Sequence, residues 1–583
     1  MKNVNNEQLL LFKAIKLQKK NTQRTLAKKT GFSLGKVNRI IVSLQSMGYI
    51  DKDLTLNSKG QSYISKHHPK QAVILAAGYG MRMVPINMEE PKGLLEVNGE
   101  PLIERIIQQL HFKNINKIKI VVGFMKEHYE YLIDKYNVEL VVNQHYSEWK
   151  NIYSLYLVRN FLADAYIIPC DIWFKKNPFS EVEDESWYLF SDVTTDQSYW
   201  KVNTKGRVSK TQKGRKGNRM VGLAFLNAKS AVKIKDLLEK PIQSNRMLDQ
   251  FWERSLEKEN KFLLPGKIIS NNDFAEINSY EQLRNLDSHS NHLQNDAIDV
   301  IEQVLGAKLS EIKNIRVLKK GMTNRSFIFS FKEQYYIMRI PGKGTDELIN
   351  RQQEYDVYQE IKALNWTERV LYINPQNGYK LSAFIEGSHN SDPHDWQQVA
   401  QSMNLLRELH QSKLKVDHQF NLVGQIDFYE RLRKEASAYR DYSETKQRVL
   451  SLLPFVEQSN KKWTLCHIDA NYDNFVFDSE NHIYLIDWEY AGMQDADLDI
   501  AMYAIYAMYK PAEVDKLIDV YYQNQCDLAT RLKIYAYIAL GGLLWSNWCE
   551  YKQSLGLDFG EYSLAQYRYA KEYSRIVLRQ LKE

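Results

Sequence analysis

Ala72-Val-Ile-Leu-Ala-Ala77-Gly78-Tyr-Gly80-Met-Arg82-Met83 decides how the middle of the chain is read. An unbroken apolar run that ends in a glycine loop fits a strand buried on both faces, followed by backbone amides free to close on a phosphate. Gly78 and Gly80 permit that approach, and Arg82 adds a guanidinium. Downstream, further strand candidates recur between helical stretches: 118–122, 138–142, 165–169, 187–191 and 221–226. This alternation predicts an α/β sheet with crossover helices.

Outward from this core, Lys66-His-His-Pro-Lys70 marks a junction on the N-terminal side, and the polar stretch 285–295 reads as a linker on the other. The chain has 583 residues, several times an ordinary single domain. Its 44% hydrophobic and 26% charged content is that of a globular protein, which excludes a disordered or collagenous chain. The longest uncharged apolar stretch, 534–549, is shorter than the ~20 residues a membrane span needs, so no membrane span is expected. The N-terminus is amphipathic and unlike a secretory signal. Cys170, Cys466, Cys526 and Cys549 are widely spaced with no Cys-x-x-Cys, which argues against a zinc knuckle or a disulfide framework and fits a reducing cytoplasm. The sequence gives no oligomeric state.

Net charge is +7 but unevenly spread: residues 1–70 carry +11 and the remainder −4. Within that basic segment, 7–20 has a helical apolar period. Thr22 caps a short helix to Lys29, Gly31 turns the chain, and Ser33 caps a third helix, 34–47, with Val37, Ile40, Ile41 and Leu44 inward. Residues 48–60 alternate like two short strands. Helix, turn, helix and hairpin resembles a winged helix-turn-helix domain. The resemblance implies DNA as a partner, read by the outward residues of the third helix, against the alternative of a docking module.

In the middle segment, Pro91-Lys92, Leu94-Leu95 and Val97-x-Gly99-x-Pro101-Leu102-Ile103 follow the glycine loop. The compound pattern resembles the sugar-phosphate and phosphocholine nucleotidyltransferases. It implies that Leu75, Ala76, Ala77, Gly78 and Gly80 bind nucleotide, that Arg82 and Lys92 stabilise leaving pyrophosphate, and that Asp171 holds Mg²⁺. Val141-Val-Asn-Gln-His-Tyr146 and Asn151-Ile-Tyr-Ser-Leu-Tyr156 resemble the bacterial phosphocholine cytidylyltransferase branch. Trp200, Asp249 and Phe251 then correspond to substrate-binding positions, with the aromatics around a quaternary ammonium; each ring also fits a core position. The family pattern Glu-Ile-Asp reads Glu276-Ile277-Asn278 here. That exchange removes a charged metal ligand; either Glu276 or Asp273 compensates, or this half is slow or altered in specificity.

The last segment carries His467-Ile-Asp469-Ala-Asn-Tyr-Asp-Asn474 and, after an apolar strand, Ile486-Asp487-Trp488-Glu489. Phosphoryl transfer needs a carboxylate beside the attacking hydroxyl and two oxygen ligands for Mg²⁺. Asp469 suits the first task, Asn474 and Asp487 the second, and His467 suits a prop for the loop. Upstream, Gly321, Thr323 and Asn324 can cover phosphates, Arg339 can reach them, and Glu354 can pair with Arg339; an ordinary surface ion pair is the alternative for the last two. These features resemble the choline kinase and aminoglycoside phosphotransferase family, with Asp499 as a support for the catalytic loop. The resemblance implies choline recognition by Trp488, Trp545, Trp548 and Tyr562, although Trp545 and Trp548 also fit a buried helical face.

The expected fold is therefore multidomain: a small α+β winged helix (1–68), an α/β Rossmann-like nucleotidyltransferase (69–288) and an α+β bilobal protein-kinase-like phosphotransferase (296–583). The expected function is bifunctional, with ATP phosphorylating choline and CTP then converting phosphocholine to CDP-choline and pyrophosphate. An ethanolamine or amino-alcohol kinase fused to its transferase is one alternative. A DNA-binding regulator whose transferase half senses nucleotide is another.

Overall fold

Alternate residues of the strand Gln71–Ala76 serve two cores. Ala72, Ile74 and Ala76 pack with Ile103 and Ile107 on one face, while Val73 and Leu75 pack with Ile152 and Leu155 on the other. Burial on both faces is why this strand reads as a continuous apolar run. The computed structural model describes residues 4–583 except 5, 17–20, 81–82, 87–89, 213, 244–249, 259–260, 321–323, 343–347, 556 and 558, and leaves the side chains of 240–243, 319–320 and 324–325 undescribed. It divides into two units, 1–295 and 296–583.

The first unit opens with helices α1 (Asn6–Lys16), α2 (Gln23–Thr30), α3 (Leu34–Ser46) and α4 (Ser58–Lys66). Thr22 and Ser33 cap α2 and α3 as their hydroxyls allow, and Gly31 turns between them at φ 72°. The expected pair of strands over 48–60 shrinks to a single bridge, Ile50 to Leu56. Asp53 closes a tight turn on Thr55, and Asn57 caps α4 through Gly60, so little chain is left to pair. Val182, from a loop further along, completes the core of these helices. Around it Lys16 pairs with Glu181 at 2.5 Å and the Tyr63 hydroxyl donates to Asp184 at 2.7 Å.

The sheet of this unit contains β1 (Gln71–Ala76), β2 (Lys117–Val122), β3 (Glu139–Val142), β4 (Ala165–Pro169), β5 (Trp187–Thr195), β6 (Gly217–Leu226) and β7 (Gly266–Ile269), in the order β7-β5-β6-β4-β1-β2-β3. β1 lies parallel to β2 and β4, and β6 runs antiparallel beside β4. Helices α5 (Leu102–His111) and α6 (Asn151–Leu157) contribute to the opposite cores. The carboxyl ends of β1 and β4 thus carry the glycine loop and Asp171 side by side, where ligands bind in such sheets. The polar stretch expected as a linker is tied down: Asp287 accepts from the Asn98 amide at 2.7 Å, and Ser290 donates to the Glu96 carbonyl at 2.9 Å.

The second unit has an antiparallel sheet, β8 (Lys313–Lys320), β9 (Asn324–Phe331), β10 (Gln334–Pro341), β11 (Val370–Ile373) and β12 (Lys380–Ala383), ordered β8-β9-β10-β12-β11. Its helices include α7 (Arg351–Ile361), α8 (Trp396–Gln411), α9 (Asp497–Tyr506), α10 (Leu528–Ser554) and α11 (Glu561–Gln580). The apolar stretch 534–549 lies within α10 and joins the core with residues of α9 and α11. Among the described residues, no helix is long and apolar enough to cross a membrane.

Candidate active sites

A cleft of about 1080 Å³ in the first unit is lined by Leu75, Ala77, Gly78, Gly80, Lys92, Asp171, Glu276 and Asn278. Ala76 instead points into the core. Gly80 has the left-handed backbone, φ 62°, that a side chain would disfavour. Pro91 leads into a short helical turn that presents Lys92. The Lys92 ammonium donates to the Asp171 carboxylate and, at 2.6 Å, to Asn278 Oδ1. Asn278 Nδ2 donates to Glu276, whose other oxygen accepts from Arg219 at 2.6 Å. The short strand Phe274–Glu276 pairs with Ile172–Phe174, bringing 276–278 to Asp171.

This chain of contacts shows what asparagine does at 278. Its amide accepts from Lys92 and donates to Glu276, whereas a carboxylate there would oppose Glu276. Of the two acids expected to compensate, Glu276 joins the cluster. Asp273 does not, and among the described residues it pairs with Lys176 at 3.9 Å. Oxygens of Asp171 and Asn278 meet at the Lys92 ammonium, and Glu276 is tied to Asn278 beside them, so the cluster offers hard oxygen donors of the kind Mg²⁺ takes.

Phe251 is exposed on the cleft wall, with the Lys150 ammonium 5.0 Å from its ring centroid. Trp200 does not line the cleft. It is 2% exposed, packs edge-on against Phe262 and donates through Nε1 to Glu257 at 3.1 Å, so its part is to brace a cleft-lining carboxylate. Tyr146, Trp149, Tyr188, Glu253 and Glu257 also line the cleft and were missed as site residues. Tyr146 stands inside a motif quoted above, and Asn151 of another motif accepts the Trp252 amide at 2.8 Å. Arg82 and Asp249 lie outside the described residues.

In the second unit, Asn474 Nδ2 donates to the Asp469 carboxylate at 3.0 Å and to its carbonyl at 2.9 Å. Burial pushes the Asp469 carboxyl upward, opposed by the Tyr506 hydroxyl. The loop is held from below. Asp499, fully buried, accepts the amides of His467 at 2.8 Å and Ile468 at 2.7 Å and contacts His410 Nε2 at 3.0 Å. That grip keeps Ile468 at φ 66°, costly for a β-branched residue. His467 Nε2 lies 2.9 Å from the Ile486 carbonyl and so ties this loop to the one bearing Asp487, as the reading of His467 as a prop requires.

Charged hydrogen bonds of this kind contribute about 1.5–3 kcal/mol each. Asp499→Asn presents an amide where two backbone donors converge and is expected to destabilise the second unit by about 3 kcal/mol or more. Choline phosphorylation should fall with it. Thermal unfolding followed beside a kinase assay checks this, and an unchanged melt with unchanged rate contradicts it.

Arg339 and Glu354 form a buried bidentate pair across β10 and α7, with NH2 to Oε2 at 2.9 Å, and so are not an ordinary surface pair. Burial works against the Glu354 charge, yet Arg339 holds its carboxyl down to about 2. Arg351 adds a contact to Glu354 at 2.9 Å. Glu489, not foreseen, lies 3.5 Å from Arg351 and 3.9 Å from Arg339. Gly321, Thr323 and the side chain of Asn324 lie outside the described residues.

Trp545 contacts Tyr490, Tyr506 and Trp548 at ring-centroid separations of 6.2, 5.4 and 5.7 Å, and Trp548 packs on Phe559. Burial first, with the nearby Asp469 charge adding to it, pushes the Tyr506 and Tyr562 hydroxyls upward, which places these two beside the Asp469 loop. Trp488 stands apart from it. It is fully buried, packed on Trp366 and His467, and bonded through Nε1 to the Leu485 carbonyl at 3.1 Å, so it supports the loop from the core.

Residues 315–539 match the family described as choline/ethanolamine kinase, and 72–179 match the MobA-like NTP transferase domain. The chain is 35% identical over 221 residues to the choline-phosphate cytidylyltransferase of Streptococcus pneumoniae (strain ATCC BAA-255 / R6), covering 37% of this chain and 96% of that protein. It is 27% identical over 261 residues to Protein LicA of Haemophilus influenzae, covering 42% of this chain and 75% of the relative. The crystal structure of choline kinase LicA from Streptococcus pneumoniae aligns with a TM-score of 0.43 at 27% identity, over 48% of this chain and 100% of that one.

Proposed function

The chain belongs to the choline-phosphate cytidylyltransferase family and joins that transferase to a choline kinase domain, and on this premise we propose how its residues divide two consecutive reactions. In the first, choline and ATP give phosphocholine and ADP. Asp469 accepts the choline hydroxyl proton as that oxygen attacks the γ-phosphorus. Arg339, fixed by Glu354, steadies the phosphates together with Gly321, Thr323 and Asn324. Trp545, Trp548 and Tyr562 surround the trimethylammonium. In the second reaction, a phosphocholine oxygen attacks the α-phosphorus of CTP, and pyrophosphate leaves under the charges of Lys92 and Arg82, with no covalent enzyme intermediate. Leu75 to Gly80 cradle the nucleotide, and Asp249 and Phe251 lie on the substrate side.

Mg²⁺ would be held by Asn474 and Asp487 in the kinase and by Asp171 and Glu276 in the transferase, where it would neutralise phosphate oxygens. The domains proposed are 1–68, 69–288 and 296–583, in a cytoplasmic protein. The observation that carries the reading is the pairing of two different phosphate chemistries in one chain: an Asp469–Asn474 loop clamped by Asp499, and a Lys92 ammonium shared by Asp171 and Asn278. Phosphocholine and CTP supplied without ATP should give CDP-choline and pyrophosphate in equal amounts, whereas choline and CTP should give neither. Failure of the first mixture would overturn the transferase assignment.

Asn278→Asp restores a second carboxylate beside Glu276 and is expected to lower the magnesium concentration at half-maximal transferase rate several-fold. An unchanged titration would show that residue 278 does not govern the metal.

A second reading concerns residues 1–68 alone. Arg24, Lys28, Lys29, Asn38 and Arg39 are exposed on α2 and α3, which favours a winged helix that meets DNA phosphates. Salt-dependent retention on duplex DNA by the full chain tests it.

A further inference from the structure

Glu253 lies with Phe251 on the wall of the transferase cleft. One of its carboxyl oxygens, Oε1, accepts from the Tyr188 hydroxyl at 3.2 Å. The other, Oε2, is buried and meets no hydrogen-bond donor among the described residues. Burial raises this carboxyl to about 7, against hydrogen bonds that favour its charged form. A buried carboxyl lacking a cationic partner keeps its proton near neutral pH; supplying a cation reverses that preference.

Among the described residues, the groups around Glu253 do not supply the cation. Tyr188 faces it from β5, the neutral Asn151 amide from α6 and the Trp252 side chain from its own segment, none of them a cation. Within its own segment, Arg254 is paired with Glu257, which also accepts from Trp200. Lys150 is stationed over the Phe251 ring. A buried carboxyl that shares a cleft wall with an exposed aromatic ring suits a compact organic cation, which would compete with Lys150 for that ring. A quaternary ammonium has no N–H and is recognised by charge and ring contact, both strongest where water is excluded.

We propose that Glu253 is the anionic partner of the trimethylammonium group of phosphocholine, giving up its proton to solvent as that cation enters. The assignment rests on the transferase reading above and adds a specificity residue to it. Proton release makes binding of the cationic substrate tighten as pH rises through neutrality. A neutral analogue of the same shape gains nothing from that change.

The test uses the full chain and two ligands, phosphocholine and its carbon isostere 3,3-dimethylbutyl phosphate. Calorimetric titrations at pH 6.5 in buffers of different ionisation enthalpy count the protons exchanged with each. The phosphate contributes equally to both, so the difference reports Glu253. Phosphocholine should release most of one extra proton. Glu253→Gln should abolish that difference and weaken phosphocholine relative to the isostere by roughly tenfold or more. Equal proton release by both ligands in the unmodified protein would overturn the pairing while CDP-choline synthesis stood, and this arm requires no variant to fold. If the protein makes no CDP-choline from phosphocholine and CTP, the transferase reading falls and the Glu253 assignment with it.

Discussion

Asp469→Asn is expected to lower kcat for choline phosphorylation by about 10²–10⁴-fold, the range for loss of a positioned general base. The substitution keeps the shape of a side chain already bonded to Asn474, so the choline KM should move far less than kcat. What disappears is the capacity to take the hydroxyl proton. The same carboxyl is pushed upward by burial, so its basic form is lost earlier on acidification than that of a free aspartate. The kinase rate of the unmodified protein should therefore decline as pH falls toward the raised value. ADP release followed across pH for both proteins checks this, and CDP-choline synthesis from supplied phosphocholine should be unaffected. A variant within threefold of the parent kcat would remove Asp469 from the mechanism.

Asp171→Asn should produce the complementary defect. Asp171 receives the Lys92 ammonium and stands at the carboxyl end of β4, where Glu276 and Asn278 converge. Because Asn278 already contributes no charge, each remaining carboxylate carries more of the electrostatic work. Its loss is expected to lower cytidylyl transfer by about 10²–10³-fold, the scale of removing one preorganised electrostatic contact. Pyrophosphate release measures the loss, and choline phosphorylation should persist as the internal control. Full transfer activity would show that the cation sits elsewhere in the cleft.

The features legible from sequence were those with a local cause. Ala72–Ala77 reads as a strand because both its faces are apolar, and Asp469, Asn474 and Asp487 stand out because their spacing is tight. Paired aromatics are harder. Trp200 and Trp488 resemble site residues by position but lie in cores, where each donates its indole N–H to an acceptor and braces what lies above it. Nothing local separates them from Phe251, which is exposed in the cleft. Asp499 grips His467 and Ile468 from 31 or more positions away, and Arg219 reaches Glu276 across 57. Contacts of that kind become visible only when the fold brings distant segments together. The hairpin expected over 48–60 failed for the opposite reason: turn and cap residues there satisfied the backbone locally and left one bridge.

The most direct test of the account is a phosphorus NMR time course on the full chain with choline, ATP, CTP and Mg²⁺. It follows every phosphate of both reactions in one sample. The account predicts that phosphocholine appears first with ADP, then declines as CDP-choline and pyrophosphate rise together. Phosphocholine that accumulates with no CDP-choline would contradict the bifunctional assignment.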